Sequence, residues 1–339
     1  MRIDERSVQN SLRARDAEAW SRYWARGALH SCPCAFGGDY GADIRGVWVE
    51  FFAAQPSGAR ILDIGTGNGA IAFIARDTSG QRGCAFEIEA IDQAQIFPDR
   101  AAAAHGLSAQ GVSFRPGVPA DATGFPDAWF DAVSSQFALE YMPLASTLPE
   151  LARVAKPGAD LMFVVHHAES PAMLTTRHEL ESFDYLRHEV PLLVNARRFL
   201  QRLRSARDAE ELRRMAADSE TATQARELNH MVAQVVEHSR RKPDAEFVGA
   251  IAAQIVTALQ EIRSAGLDAG LNRLQVLNEE MQAHRDRLRA IATAGHSRAD
   301  MERLGKRLTA AGFVAQPAVE LKVKGDDLLA WILRATRAT

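Results

Sequence analysis

Three glycines and one acid carry most of the chemical information in this chain. Residues 61–70 read Ile-Leu-Asp-Ile-Gly-Thr-Gly-Asn-Gly-Ala. Apolar residues lead into a glycine turn, and an alanine- and isoleucine-rich helical pattern follows. Gly65, Gly67 and Gly69 accept backbone angles that a Cβ disfavours, so main chain and ligand can approach closely. A strand, a glycine turn and a helix N-terminus together make a nucleotide-type binding corner. The spacing of Gly65, Gly67 and Ala70 also fits a dinucleotide fingerprint, with Asp92 at roughly the expected distance downstream. The two readings differ in charge. A pyrophosphate is held by helix amides with no anion nearby, whereas Asp63 puts a carboxylate at the mouth of the turn. A cationic nucleoside reverses that argument.

Further segments follow in a telling order. Cys84-Ala-Phe-Glu-Ile-Glu-Ala-Ile91 reads as a second strand ending at Asp92, and Val112–Gly117 as a third with its turn. Phe125–Tyr141 holds a fourth strand and the loop after it. Residues 150–167 read as a helix, a Pro-Gly turn and a fifth strand ending in His166-His167. This succession resembles the class I S-adenosylmethionine (SAM)-dependent methyltransferases over about half of the chain. The resemblance implies a Rossmann-like α/β fold, a mostly parallel sheet with an antiparallel last strand. SAM carries a sulfonium and an ammonium and no phosphate, which suits Asp63, directly or through water. The resemblance also implies that Asp92 accepts from the ribose hydroxyls, with Glu89 the competing acid if the strand ends earlier. Cofactor contacts are expected from Asp63, Gly65, Thr66, Gly67, Asn68, Gly69, Asp92, Gln93, Pro119, Ala120, Gln136 and Phe137. Val118 also sits where the family lines the adenine, and Asp121 is placed to reach its amino group. The family often has Gly-Asp-Ala there, and this chain departs from it.

Catalytic roles are assigned to Tyr141, His166 and Tyr23. A histidine at the carboxyl end of the fifth strand could deprotonate an acceptor or hydrogen-bond it; strand alternation turns only one of His166 and His167 toward the pocket. Glu140 is a further polar candidate. Tyr23, Trp24, Phe137 and Tyr141 could wall the sulfonium, since aromatic faces attract cations by about 0.5–2 kcal/mol.

These residues need positioning elements. Residues 1–56 are expected to form a helical lid, with Trp20, Tyr23, Trp24, Trp48, Phe51 and Phe52 at helical spacings. Residues 57–168 supply the first five strands, and 297–339 the end of the sheet, with a helix over Met301–Ala311 and strands at Ala318–Val323 and Leu328–Ala335. Residues 169–296 exceed the short connection such a fold requires. Their apolar stripes (Leu228, Met231, Val232, Val235, Val236; Ile251, Ile255, Leu259, Ile262; Leu267, Leu271, Leu274, Leu277, Met281) predict an all-helical cap over the strand ends. A coiled-coil arm making a homodimer is the alternative.

Composition narrows the partners. The formal net charge of −3 over 339 residues supplies no basic field for nucleic acid. No apolar run approaches the roughly 20 residues of a membrane span, and Met1–Arg6 lacks an apolar signal core, so a cytoplasmic protein is expected. Three cysteines cannot pair completely. Cys32-Pro-Cys34 has only His30 as a further local ligand where zinc takes four, so no metal is expected. No Asn-Pro-Pro-Tyr-type motif follows the fourth strand, which favours a small-molecule substrate. Two reactions fit. One is methyl transfer from SAM to a metabolite. The other is attack of SAM's own amine on its γ-carbon, giving azetidine-2-carboxylate and methylthioadenosine, as in methyltransferase-like cyclases of similar layout. A SAM-binding partner protein without catalysis is a third reading.

Overall fold

Hydrophobic periodicity switches between two and 3.6 residues along the chain, and the elements follow it. The computed structural model describes residues 17–31, 41–242, 245–323 and 327–339. Helix α1 covers 17–24, and α2 spans Ala42–Ala53. Then come β1 (Arg60–Ile64), α3 (Ala70–Arg82), β2 (Glu87–Asp92), α4 (Pro98–Ala104), β3 (Ser113–Pro116), β4 (Phe130–Gln136), α5 (Leu144–Val154) and β5 (Ala155–His166). After β5 the chain is helical through α6 (Pro171–Asp184), α7 (Leu192–Arg204), α8 (Ala209–Ala217), α9 (Ser219–Arg241), α10 (Glu246–Ala265) and α11 (Leu267–Ala294). It closes with α12 (Arg298–Ala310), β6 (Phe313–Ala315), β7 (Val319–Val323) and β8 (Asp327–Arg337). Cys32, Cys34 and Pro243 lie outside the described residues.

The strands form one sheet in the order β3-β2-β1-β4-β5-β8-β6, with β7 also paired to β8. β1 to β5 are mutually parallel, and β8 runs antiparallel to β5. This is the mostly parallel Rossmann-like sheet with an antiparallel last strand that the sequence implies. Strand β6 was not foreseen. It and β7 share one flank of β8, β6 against Ala335–Arg337 and β7 against Asp327–Ile332. Pro317, which has no N–H to give the ladder, stands between them.

Strand alternation sorts side chains to two faces. On one, Ile61, Ala132 and Met162 pack against Trp48 and Phe52 of α2 and Ile71 and Ile74 of α3. On the other, Leu62, Val133, Phe163 and Trp331 meet Leu148 and Leu151 of α5 and Leu304 and Leu308 of α12. By the same alternation Asp63, Ser134 and Gln136 face the α2–α3 side.

The described residues divide into two compact units, one within residues 17–174 and 290–339 and the other within 175–289. The second is wholly helical. Leu228 and Val235, Ile251 and Ile255, and Leu274 and Leu277 are buried together in one core, with Met231, Val232, Leu259, Ile262, Leu267, Leu271 and Met281 packed on it. The three stripes therefore face one another within this unit. Val236 is half-buried. In the first unit, the chain leaves β5 and re-enters before α12 through one clasp. His296 N donates to His166 O at 2.8 Å, and Ala168 N donates to His296 O at 3.0 Å. No helix among the described residues is long and apolar enough to cross a membrane.

Candidate functional site

A cavity opens where β1, β2 and β4 end, the edge at which open α/β sheets bind ligands. Asp63, Gly65 and Thr66 line it from β1, and Asp92, Gln93 and Ala94 from β2. Val118, Ala120 and Asp121 follow β3; Gln136, Phe137, Ala138, Tyr141 and Met142 follow β4. Trp20, Trp24, Leu29, His30 and Ser31 complete the wall from the N-terminal segment. No Lys or Arg occurs among the described lining residues.

Asp63 is 1% exposed. Its Oδ1 accepts from the Ser134 hydroxyl at 2.7 Å, while Oδ2 is buried without a hydrogen-bond partner. Burial pushes its carboxyl up to about 7, and the Thr66 and Ser134 hydroxyls beside it pull it back only part of the way. Ser134 stands opposite Asp63 in the β1–β4 register, which explains the pairing. A buried acceptor with an open lone pair fits a hydrogen-bonding cation such as an ammonium.

Asp92 ties the glycine loop to the end of β2. Its Oδ2 accepts from Gly67 N and its Oδ1 from Ala94 N, both at 2.8 Å. Burial raises it to about 6 against the pull of those amides. Each oxygen keeps a second lone pair, so ribose hydroxyls fit the same carboxylate. Glu89 lies within β2 and pairs with Arg115 at 2.8 Å; it does not line the cavity. Gly65 and Gly67 have φ of +64° and +54°. A Cβ on Gly65 would collide with the Ala138 side chain, and one on Gly67 would lie 2.5 Å from the Trp24 ring.

Four of the expected contact residues, Gly67, Asn68, Gly69 and Pro119, are absent from the cavity lining. Asn68 is fully buried and holds main chain: Nδ2 donates to Trp24 O at 3.0 Å and Ala28 O at 2.7 Å, and Oδ1 accepts from Phe97 N at 2.7 Å. Tyr23 is not a lining residue; its hydroxyl donates to His30 O at 2.8 Å and its ring lies edge-on to Trp20 and Trp24. His166 is also off the cavity. Its ring stacks on Phe137 at 4.1 Å, and burial together with the facing His296 pushes it down to about 3, which leaves it a poor base. His167 is buried as well, stacked on Trp331 at 4.7 Å. Of the three residues given catalytic roles, the structure brings only Tyr141 to the cavity wall, edge-on to Trp20.

Glu140 is not a lining residue. Its Oε1 accepts from His166 N at 3.0 Å, Oε2 is buried without a partner, and burial pushes the carboxyl up to about 8. The folded state therefore holds a proton that the unfolded carboxyl releases above about pH 4.5, and ionisation becomes a growing penalty between there and pH 8. Glu140→Gln keeps the acceptor for His166 N and removes the charge. Thermal melts should show its advantage over wild type widening from pH 5 to pH 9; an advantage independent of pH would contradict the assignment.

Residues missed from sequence include Ser134, Leu29 and Ser31, whose types carry no chemical signal. The Trp48–Gln136 bond, Nε1 donating to Oε1 at 2.5 Å, was equally hidden, because 88 residues separate its partners.

Residues 62–163 match the family described as Methyltransferase domain. Among known proteins, the ubiquinone biosynthesis O-methyltransferase of Hahella chejuensis is 36% identical over 118 residues, covering 34% of this chain and 46% of that one. The 2-phytyl-1,4-naphtoquinone methyltransferase of Synechococcus elongatus is 32% identical over 131 residues, 37% of this chain and 53% of that one. The chain thus spans about half the length of the curated relatives it matches. A solved structure, 1,6-didemethyltoxoflavin-N1-methyltransferase of Burkholderia thailandensis, aligns over 88% of this chain and 79% of its own, at 12% identity and a TM-score of 0.41. With the sheet order, the glycine turn and the acids at the ends of β1 and β2, the match over 62–163 establishes a class I SAM-dependent methyltransferase fold carrying an inserted helical unit.

Proposed function

We propose that this protein is a SAM-dependent methyltransferase acting on a small molecule. The observation that carries the reading is Asp63, an acid with an open lone pair buried at the mouth of the glycine loop. Asp63 would hold the ammonium of SAM and Asp92 the ribose hydroxyls. Trp20, Trp24, Phe137 and Tyr141 line the same cavity and supply π-faces for a sulfonium. When bound, SAM supplies a methyl group electrophilic enough for transfer to an oxygen, nitrogen or carbon. The protein's part is to hold an acceptor in line and keep water out, and orientation of this kind contributes about 7–11 kcal/mol. The named activities of the Hahella and Synechococcus proteins make aromatic and quinone-type acceptors the first to try.

A second reading is cyclisation, in which the neutral amine of SAM attacks the γ-carbon of the same molecule. Direct contact with Asp63 would keep that amine charged, because the cation pulls the buried carboxyl back down, so Asp63 would then act through water. A C–N bond forms, the C–S bond breaks, methylthioadenosine leaves as a neutral thioether, and the ring nitrogen takes up the positive charge. Incubation of the purified protein with SAM alone tests both readings. SAM that is inert alone but yields S-adenosylhomocysteine with an acceptor supports methyl transfer. Methylthioadenosine and azetidine-2-carboxylate above the uncatalysed background would replace it with cyclisation.

A further inference from the structure

We infer that Gln136, set by Trp48, is the residue that reads the carboxylate of the ligand's amino-acid end; this rests on the proposal that SAM occupies the cavity. An indole N–H can only donate, so Trp48 fixes Oε1 of Gln136 as its acceptor and thereby fixes which way the amide faces. The other end, Nε2, is buried without a partner in a side chain that lines the cavity and is 8% exposed. A buried donor left unmade is unfavourable, and a ligand acceptor removes that penalty.

The position of Gln136 identifies the acceptor. Asp63 pairs in register with Ser134, and Gln136 lies two residues further toward the carboxyl end of β4 on the same face. That is a step of about 7 Å along the strand. The cavity therefore presents an unpartnered acceptor, Asp63 Oδ2, and an unpartnered donor, Gln136 Nε2, at neighbouring positions of one sheet face. An α-amino acid carries its ammonium and carboxylate on a single carbon and bridges such a pair with one hydrogen bond at each end. With no Lys or Arg among the described lining residues, a neutral amide donor meets the carboxylate without cancelling the field that favours the cation.

The test uses ligands that differ by the carboxylate alone. Calorimetry on wild type, Gln136→Met and Trp48→Phe compares SAM with decarboxylated SAM, which keeps the ammonium and the sulfonium. Gln136→Met should weaken SAM by about ten- to a hundredfold, the range of a hydrogen bond to a charged group, and leave decarboxylated SAM unchanged. Trp48→Phe frees the amide to turn and should give a smaller loss confined to SAM, which keeps the proposal testable if the first variant does not fold. Equal weakening of both ligands, or of neither, overturns the role of Gln136 while leaving the nucleoside site intact. A wild-type protein that binds neither ligand overturns the site itself.

Discussion

Asp63→Ala is expected to weaken SAM binding by at least a hundredfold, the scale of a lost charge-assisted hydrogen bond in a dry site. Calorimetry measures it directly, and unchanged affinity would remove Asp63 from the site. The partner experiment is Asp63→Asn, which keeps the shape and removes the charge. Asp63 in the folded protein titrates near 7 against an ordinary 3.8, so the folded state binds its proton more tightly than the unfolded chain does. Below about pH 4 both states are protonated and the group is neutral to stability. As pH rises through about 4 to 7, ionisation destabilises the fold, by several kcal/mol once complete. Asp63→Asn should therefore melt higher than wild type at pH 8 and alike at low pH, while binding SAM poorly. Gain in stability with loss of binding is the pattern of a group kept for a ligand rather than for the fold.

Asn68→Ala should destabilise the fold around the glycine loop. It leaves the carbonyls of Trp24 and Ala28 and the amide of Phe97 without their side-chain partner. Each unmade buried bond costs about 1–3 kcal/mol, so a loss of about 3 kcal/mol or more is expected in denaturant melts. The same bonds join the segment carrying Trp20 and Trp24 to the loop and to the turn before α4. Limited proteolysis should then cut the variant earlier within residues 17–31 than wild type. An unchanged cleavage pattern would mean that the aromatic packing alone holds this segment.

The parts of the molecule that were legible in sequence are those decided locally. The glycine turn between β1 and α3, the acids closing β1 and β2, and the parallel strands are written in short-range patterns of apolar, glycine and acidic residues. The three stripes between residues 228 and 281 announced helices for the same reason. Strand β6 escaped because three residues, Phe313–Ala315, are too few to show a period, and Pro317 hides its continuation into β7. Side-chain roles were the hard part. Asn68 sits in the loop that was read as cofactor-binding, yet its amide is engaged by carbonyls from a segment 40 and 44 residues away. Tyr23 and His166 have types suited to acid–base chemistry, but which way they face depends on partners such as His30 and Phe137 that no spacing rule connects. The identity of a side chain says what it can do, and only the packed neighbours decide whether it meets a substrate.

The clasp between His166, Ala168 and His296 has an engineering corollary. Because both ends of the stretch 169–295 are held together by main-chain bonds within the sheet-bearing unit, that stretch behaves as a cassette with adjacent terminals. Closing the gap with a brief linker bears little entropic penalty. The helices of residues 175–289 are therefore open to shuffling, trimming or grafting through a single pair of junctions.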